Sequence, residues 1–186
     1  MAKDRGYDVI SLNEIIRQVT AWIIDAVLVV VLAFCLTYLL GGRVRMDGNS
    51  MTPTLQNADR LLLNRTKGTL KEFERYDIVV YYLADPDSVY LKRILGLPGE
   101  TVQIIDGLVY INGEKLQESP KLSAYISSGI AADPVTLLEG EYFVIGENAD
   151  ASLDSRFNDV GNIRAEHMLG TVWFRYAPFK HFGFVS

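Results

Sequence analysis

The 186-residue sequence has very few of the side chains on which many enzymes and small folds rely. Its single cysteine, Cys35, excludes a framework of disulfide bonds. Its two histidines, His167 and His181, lie in no pattern typical of a zinc site or a Ser-His-Asp triad. The glycine patterns of P-loop and dinucleotide-binding proteins are absent as well. Basic residues number 18 against 23 acidic ones, which argues against a nucleic-acid partner. We therefore expect no metal, no cofactor and no nucleic acid.

The N-terminal part contains one long apolar run. Residues 20–42 include a single charge, Asp25, and in a helix they would span roughly 30 Å, the thickness of the bilayer hydrocarbon core. A cleaved signal peptide usually has a shorter apolar part, and a buried soluble helix is seldom apolar all round. We predict a transmembrane segment at residues 20–42 behind an N-terminal segment, residues 1–19. One continuous helix would run from about Leu12 to Leu40, with its first turns outside the lipid. Basic residues are balanced on the two sides, so their count does not orient the span.

The rest of the chain, residues 43–186, has frequent strand signals. Short apolar runs are separated by turn residues, among them Asp106-Gly107 and Asn112-Gly113, which suit two-residue hairpin turns. This pattern predicts a mainly β domain with an antiparallel sheet, closed or sandwiched. Within residues 106–141, a polar, Ser-rich stretch is broken by prolines, and we predict a small excursion from the sheet without a catalytic role.

Ser50 has the most unusual setting of the serines. It follows the apolar run by eight residues, so a short tether holds it near a bilayer surface. Gly48 and Pro53 favour a turn that displays its hydroxyl together with its own N–H. On spacing alone, however, an ordinary juxtamembrane turn is the favoured interpretation.

Lys92 lies in a strand-like run, residues 89–95. Strand alternation places Lys92 on one face and Arg93 on the other, so a basic residue shares each apolar face. Burial disfavours an ammonium, which lowers the pKa of a lysine and makes a neutral amine available as a general base. The alternative is an edge strand in which both charges reach solvent.

The third candidate segment is the Asn-, Asp- and Ser-rich stretch at residues 146–156. Asp154 and Arg156 are spaced to form a charge-assisted pair, and a serine hydroxyl in such a loop can position a lysine amine. An ordinary Asx-rich turn explains the same residues if the segment is taken alone.

These segments, in this order behind an N-terminal span, resemble the type I signal peptidases, the membrane-bound serine-lysine endopeptidases that remove signal peptides. The resemblance covers the chain from the anchor nearly to the C-terminus. In its short length and single span, the chain is similar to the compact Gram-positive bacterial forms. It implies two small antiparallel β subdomains on the extracytoplasmic side of the cytoplasmic membrane, with the N-terminus inside. The matching motifs are GNSMTPTL at residues 48–55, DIVVYY at 77–82, YLKRILGLPGE at 90–100 and GENADASLDSR at 146–156.

The resemblance also implies a role for each matching residue. Ser50 would be the nucleophile, with its backbone N–H as an oxyanion donor, and Lys92 would be the general base. Ser152 would orient the Lys92 amine through a hydrogen bond, while Asp154 and Arg156 would hold the site through a salt bridge.

The implied substrates are the signal peptides of preproteins, cleaved beside a lipid bilayer by what we expect to be a monomer. Leu55, Tyr90 and Leu91 would line shallow pockets for small residues at positions -1 and -3 of the signal peptide. An aromatic C-terminal segment, residues 179–184, would lie either at the bilayer interface or packed as a tail on the sheet.

The sequence departs from the family pattern at several positions. Gly48 stands where some members have a serine that supplies a second oxyanion donor, and Ala149 replaces an arginine near the site. The usual Gly-Asp pairs are Tyr76-Asp77 and Gly146-Glu147 here. Two rival functions remain: a non-catalytic membrane-anchored assembly or binding relative, for example for pilin-like proteins, and a self-cleaving transcriptional regulator. The second would need a DNA-binding domain in place of the apolar run.

Overall fold

A computed structural model describes residues 12–40, 42–68, 70–116 and 127–185. The N-terminal segment before Leu12 and part of the predicted excursion, residues 117–126, lie outside the described residues. The chain divides into two compact units, the first ending at Tyr38 and the second beginning at Leu39.

The helix α1, Leu12–Leu40, contributes all but its last two residues to the first unit, and its 29 residues have the predicted bounds. Among the described residues, one helix is long and apolar enough to cross a membrane, over Leu12–Cys35. None of that segment is buried within the protein, and bulky side chains such as Trp22 and Phe34 are 77% and 73% exposed. A core helix of a soluble protein would bury such side chains. Membrane anchoring is therefore the interpretation that fits α1.

The second unit consists of two antiparallel sheets, which confirms the predicted mainly β fold behind an N-terminal helix. The larger sheet has eight strands in the order β1-β2-β11-β3-β4-β9-β10, with β12 paired to β11. The smaller sheet has the order β7-β6-β5-β8. The strands are β1 Gly42–Arg45, β2 Arg60–Asn64, β3 Ile78–Tyr82, β4 Val89–Gly96, β5 Thr101–Ile105, β6 Leu108–Ile111, β7 Glu114–Lys115, β8 Val135–Thr136, β9 Glu141–Ile145, β10 Ile163–Arg164, β11 Met168–Ala177 and β12 Gly183–Phe184.

Local sequence explains the hairpins of the smaller sheet. Asp106 and Asn112 adopt positive φ angles of 50° and 53°, and each is followed by a glycine that also has positive φ. Asp, Asn and Gly tolerate this conformation, so the two predicted hairpin turns are confirmed. Short 3-10 helices complete the unit at Gly129–Ala132, Ala149–Ala151, Ala165–His167 and Phe179–His181.

The two sheets share a hydrophobic core. Leu95 and Phe143 of the larger sheet pack in one buried cluster with Val102 and Ile104 of the smaller one. Gly96 lies at this junction, and a Cβ there would come within 2.5 Å of Val102. The smaller sheet begins at β5, earlier than the predicted excursion at residue 106, because β5 pairs with both β6 and β8.

Strand β4 lies inside the larger sheet, between β3 and β9. Lys92 is opposite Val79 of β3, while pairing with β9 begins at Arg93, opposite Ile145. Lys92 and Arg93 are therefore on an interior strand, and each is only 4% exposed. This removes the alternative in which both charges reach solvent from an edge.

Candidate active site

Ser50 lies in the nucleophile loop, residues 46–59, which connects β1 to β2. The loop closes at its base, where Met46 N–H donates to the carbonyl of Asp59 and Ala58 N–H donates to the carbonyl of Met46, both at 2.9 Å. Met51 and Leu55 are fully buried, so two apolar side chains anchor the loop on the core. Ser50 is held between these anchors and the loop base and is 8% exposed.

Ser50 and Lys92 meet although 42 residues separate them in the sequence. Lys92 Nζ lies 2.8 Å from Ser50 Oγ, within hydrogen-bond distance. An ammonium donates to the hydroxyl in this pair, whereas a neutral amine accepts the hydroxyl proton. A hydroxyl and a neutral amine at this separation can exchange a proton.

Burial sets the protonation of Lys92. Desolvation lowers its pKa from 10.5 to about 8; Asp154 acts in the opposite direction and Arg156 adds to the lowering. A base with a pKa near the working pH is the most effective proton acceptor. The amine is therefore neutral in a useful fraction of molecules near neutral pH.

The loop after β9 is organised around the buried carboxylate of Asp154, which is 0% exposed. Arg156 Nε donates to its Oδ1 at 2.7 Å and Nη2 donates to its Oδ2 at 2.9 Å, a bidentate pair. Gly146 N–H donates to the same carboxylate at 2.9 Å. Asp154 and Arg156 thus form the ion pair that their spacing indicates.

Ser152 differs from the expected arrangement. Its hydroxyl donates to Asp154 Oδ2 at 2.6 Å, and within the described residues no hydrogen bond joins it to Lys92. The reason is that an ionised carboxylate is a stronger acceptor than an amine that already faces Ser50. Ser152 nevertheless belongs to the site, because a Cβ at Gly146 would lie 2.2 Å from Ser152 Oγ and 2.7 Å from the Ser50 carbonyl oxygen.

The three residues expected to line substrate pockets have different surroundings. Leu55 and Leu91 lie in one buried cluster of the larger sheet, 0% and 4% exposed. Tyr90 is 36% exposed and its ring centroid lies 5.8 Å from that of Tyr81. Only Tyr90 presents substantial surface, and strand alternation places it on the face of β4 opposite to Leu91.

Sequence reasoning did not identify the buried pair between Arg93 and Glu147. Arg93 Nε donates to Glu147 Oε1 at 3.0 Å, and Nη2 contacts the same oxygen. The adjacent Asn148 N–H donates to the Ser50 carbonyl at 3.0 Å. These contacts span 54 and 98 residues, so no local spacing reveals them; a basic residue on each face of β4 was the one available hint.

The predicted excursion contacts the site. Arg156 Nη1 donates to the Ser127 carbonyl at 3.4 Å, and Ile130 N–H donates to the Arg156 carbonyl at 2.9 Å. A Cβ at Gly129 would lie 2.1 Å from that carbonyl oxygen. The segment therefore supports the Arg156 backbone, although its side chains do not reach Ser50 or Lys92 among the contacts of the described residues.

Comparisons with known proteins identify the family. The family model described as "Signal peptidase, peptidase S26" matches residues 19–177. The chain belongs to this family. A signal peptidase I of Bacillus licheniformis is 38% identical over 166 residues, covering 86% of this chain and 89% of that protein. Signal peptidase I T of Bacillus subtilis is 37% identical over 161 residues, covering 83% of each. A crystal structure of a signal peptidase I from Enterococcus faecalis is 31% identical, with a TM-score of 0.44, and covers 54% of this chain and 97% of that one.

Membership of the S26 family confirms the predicted serine endopeptidase and the resemblance on which it was based. It also identifies signal-peptide processing as the activity of the family. The self-cleaving regulator is not supported, because an apolar helix precedes the β domain at residues 12–35. The apolar helix and the homologues together indicate a membrane-anchored protein.

The lowered pKa of Lys92 predicts that this lysine destabilises the fold. Burying a group whose pKa falls from 10.5 to about 8 costs up to about 3 kcal/mol near pH 7, because the unfolded state binds the proton more tightly. We expect Lys92→Met to raise the free energy of unfolding by about 1–3 kcal/mol at pH 7. The gain should shrink as the pH rises from about 8 to 10.5 and the wild-type penalty disappears.

Urea unfolding of the detergent-solubilised protein at several pH values measures this change. Lys115→Met is the matched control, since Lys115 is exposed on β7 and should give little change. A Lys92→Met variant that is less stable than the wild type at pH 7 would contradict the prediction.

Proposed function

We propose that this protein removes N-terminal signal peptides from exported preproteins, with Ser50 as nucleophile and Lys92 as general base. The 2.8 Å separation between Ser50 Oγ and Lys92 Nζ carries the proposal. Burial of the amine and its lowered pKa add to it, since only a neutral lysine accepts a proton. The S26 membership supplies the class of reaction.

The proposed reaction has two stages. Lys92 takes the hydroxyl proton as Ser50 Oγ attacks the scissile carbonyl, and the resulting ammonium gives that proton to the departing amine of the mature protein. The signal peptide is left as an ester on Ser50. Lys92, neutral again, then takes a proton from water as the water oxygen attacks the ester. It gives that proton to the departing Ser50 oxygen, which restores the hydroxyl and releases the signal peptide with a new carboxyl group. Protons and bonds balance without a metal or a cofactor.

The backbone N–H of Ser50 is proposed as an oxyanion donor. No acceptor engages it among the described residues, so it is free to bind the developing negative charge. Gly48 N–H, by contrast, donates to Asn57 Oδ1 at 3.1 Å. Gly48 has a φ of 80°, a conformation that favours glycine and shapes the turn before the nucleophile.

Asp154, Arg156 and Ser152 are proposed to support the dyad rather than to react. The buried Asp154 carboxylate accepts hydrogen bonds from the Ser152 hydroxyl, the Gly146 N–H and the Arg156 guanidinium. This fixes the loop whose Asn148 N–H binds the Ser50 carbonyl. Removing Asp154 or Arg156 alone would leave an uncompensated buried charge, which costs about 3–5 kcal/mol.

An extended peptide fits beside β4. Residues 89–92 pair with β3 on one side, and in the described part of the chain the pairing with β9 begins only at Arg93. The opposite backbone edge of this half of β4 can therefore pair with a substrate strand. We propose that Tyr90, Leu55 and Leu91 then limit positions -1 and -3 of the signal peptide to small residues.

We propose that the N-terminus lies in the cytoplasm and the β domain on the extracytoplasmic side, where signal peptides emerge. A monomer suffices, because one chain contains the whole dyad. Exposed aromatic side chains on β12 and the preceding turn are proposed to contact lipid: Phe179, Phe182 and Phe184 are 88%, 58% and 79% exposed. They are joined to the sheet through Phe174, whose ring centroid lies 4.9 Å from that of Phe182.

Single substitutions test the dyad. We expect Ser50→Ala and Lys92→Ala each to lower cleavage of a preprotein in detergent by about 10⁴-fold or more, because one removes the nucleophile and the other its base. Gel analysis of precursor and mature forms measures the rate. Circular dichroism and thermal unfolding are the folding controls. Wild-type rates in either folded variant would disprove the assignment.

The pH dependence tests the base. With a pKa of about 8, Lys92 is protonated below that pH and cannot accept the Ser50 proton. We expect kcat/KM to rise about tenfold per pH unit on the acid side and to level off above pH of about 8. Initial rates with a signal-peptide substrate between pH 6 and 10 give the profile. A flat profile across pH 8 would contradict a lysine base.

The aromatic residues can be tested with two substrates. We expect Phe179→Ser combined with Phe184→Ser to slow cleavage of a preprotein inserted in vesicles several-fold, because lipid contact would be lost. Cleavage of a short peptide in detergent should not change. Leu138→Ser is the control, since Leu138 is 64% exposed elsewhere on the domain. Equal loss on both substrates would contradict a lipid-binding role.

A further inference from the structure

Two ion pairs bind the backbone of one residue in the nucleophile loop. Thr54 N–H donates to Glu147 Oε2 at 3.3 Å, and the Thr54 carbonyl accepts from Arg175 Nη1 at 3.0 Å. Glu147 is paired with Arg93, and Arg175 Nη1 also donates to Asp59 Oδ2 at 2.8 Å. Thr54 therefore lies between two charged pairs, and we call this arrangement the Thr54 clamp.

Burial of the clamp makes general stabilisation a poor explanation for it. Asp59 and Glu147 are each 1% exposed and Arg93 is 4% exposed, while the Arg175 side chain is 17% exposed. Taking ions out of water costs about as much as their attraction returns, so buried pairs add little net stability. Their strong, directional hydrogen bonds do fix geometry.

The clamp connects the nucleophile to two strands. Thr54 follows Ser50 by four residues, and Arg93 is the residue after Lys92 on β4, so the first pair joins the loop to the strand of the base. The second pair joins the same loop to β11, the strand next to β2 in the larger sheet. Asp59 also forms a hydrogen bond within the loop, because it accepts the Gln56 N–H at 2.9 Å.

Arg93 and Glu147 lie within the motifs that carry the resemblance, whereas Asp59 and Arg175 lie outside all four. We propose that Asp59 and Arg175 are positioning residues for the reaction. Arg175 holds the Thr54 carbonyl, and Asp59 holds the Arg175 guanidinium and the Gln56 N–H. Through the loop they keep Ser50 Oγ at hydrogen-bond distance from Lys92 without touching either group. The proposal rests on the Ser50–Lys92 mechanism above.

The surroundings of the pair guide the choice of variants. His181 Nδ1 lies 3.5 Å from Asp59 Oδ1, and Arg175 Nε donates to the His181 carbonyl. Removing Arg175 alone would leave Asp59 buried without its guanidinium, so the variant could fail for stability alone. The double variant Arg175→Met with Asp59→Asn leaves no unpaired charge and keeps an oxygen for the Gln56 N–H.

The experiment uses the full chain in detergent, well below the unfolding temperature of every variant and above the pKa of Lys92. In the double variant we expect kcat for a signal-peptide substrate to fall at least about tenfold, with KM changing less than about twofold, because misplacing the nucleophile affects the chemical step. The single variant Arg175→Lys, which keeps a positive charge for Asp59, should have a kcat between those of the double variant and the wild type. Amide hydrogen exchange in residues 50–56 should become faster.

Arg164→Met is the matched control, since Arg164 is an exposed arginine paired with Glu166 at 3.3 Å, and it should match the wild type in both readouts. A double variant with wild-type kcat and exchange overturns the proposal, even if its unfolding temperature falls. Unchanged exchange in residues 50–56 also overturns it. If the wild type cleaves no signal-peptide substrate, the proposed function fails, and the exchange measurement still decides whether the clamp orders the loop.

Discussion

The proposed mechanism depends on one constraint, a lysine that is uncharged when Ser50 reacts. Lys92 loses its proton at a useful pH only because the protein removes it from water, and any nearby anion works against that effect. Asp154 is such an anion, and it raises the pKa of Lys92. Arg156 lowers that pKa, so the bidentate partner of Asp154 offsets part of the carboxylate's influence on the amine. The ion pair allows a buried carboxylate to organise the loop while the pKa of Lys92 stays at about 8.

The same logic applies to the other charges near the dyad. Arg93 is the neighbour of the base in sequence, and its charge is matched by the carboxylate of Glu147, with both side chains buried. In each pair the two charges neutralise each other, and the carboxylate also accepts a backbone N–H of an irregular loop. Buried pairs of this kind contribute little net stability, so their effect lies in the geometry they impose. A loop without regular structure acquires fixed positions for Ser50 and its peptide N–H.

Much of this could be predicted from the sequence, for identifiable physical reasons. The helix was found with its bounds because a long apolar run with a single charge, Asp25, fits a membrane span and is followed by Gly41-Gly42, a typical helix stop. The Asp106-Gly107 and Asn112-Gly113 hairpins were found because positive φ restricts the choice of residue. Ser50 and Lys92 were paired through the family resemblance rather than through their spacing, and the structure brings them within 2.8 Å of each other.

Other features depend on contacts between distant residues. The orienting hydrogen bond expected from Ser152 to Lys92 is replaced by one to Asp154, a choice that only the three-dimensional positions of competing acceptors determine. The contact of Ile130 with Arg156 comes from a segment that is polar and without a period in the sequence. Asp59 and Arg175 are 116 residues apart, so neither has a local pattern that reveals the other.

The short distance between Ser50 and Lys92 also creates a chemical hazard. Once an acyl group is attached to Ser50, a neutral amine lies next to an ester, and transfer of the acyl group from oxygen to nitrogen would give a stable amide and a dead enzyme. The ammonium that forms during acylation has no lone pair and cannot attack the ester. The neutral amine that activates water does have one and can attack it. Lys92 extends from an interior strand and is 4% exposed, so neighbouring groups surround its amine. In the proposed mechanism, this close packing would disfavour attack of the amine on the ester that Ser50 carries.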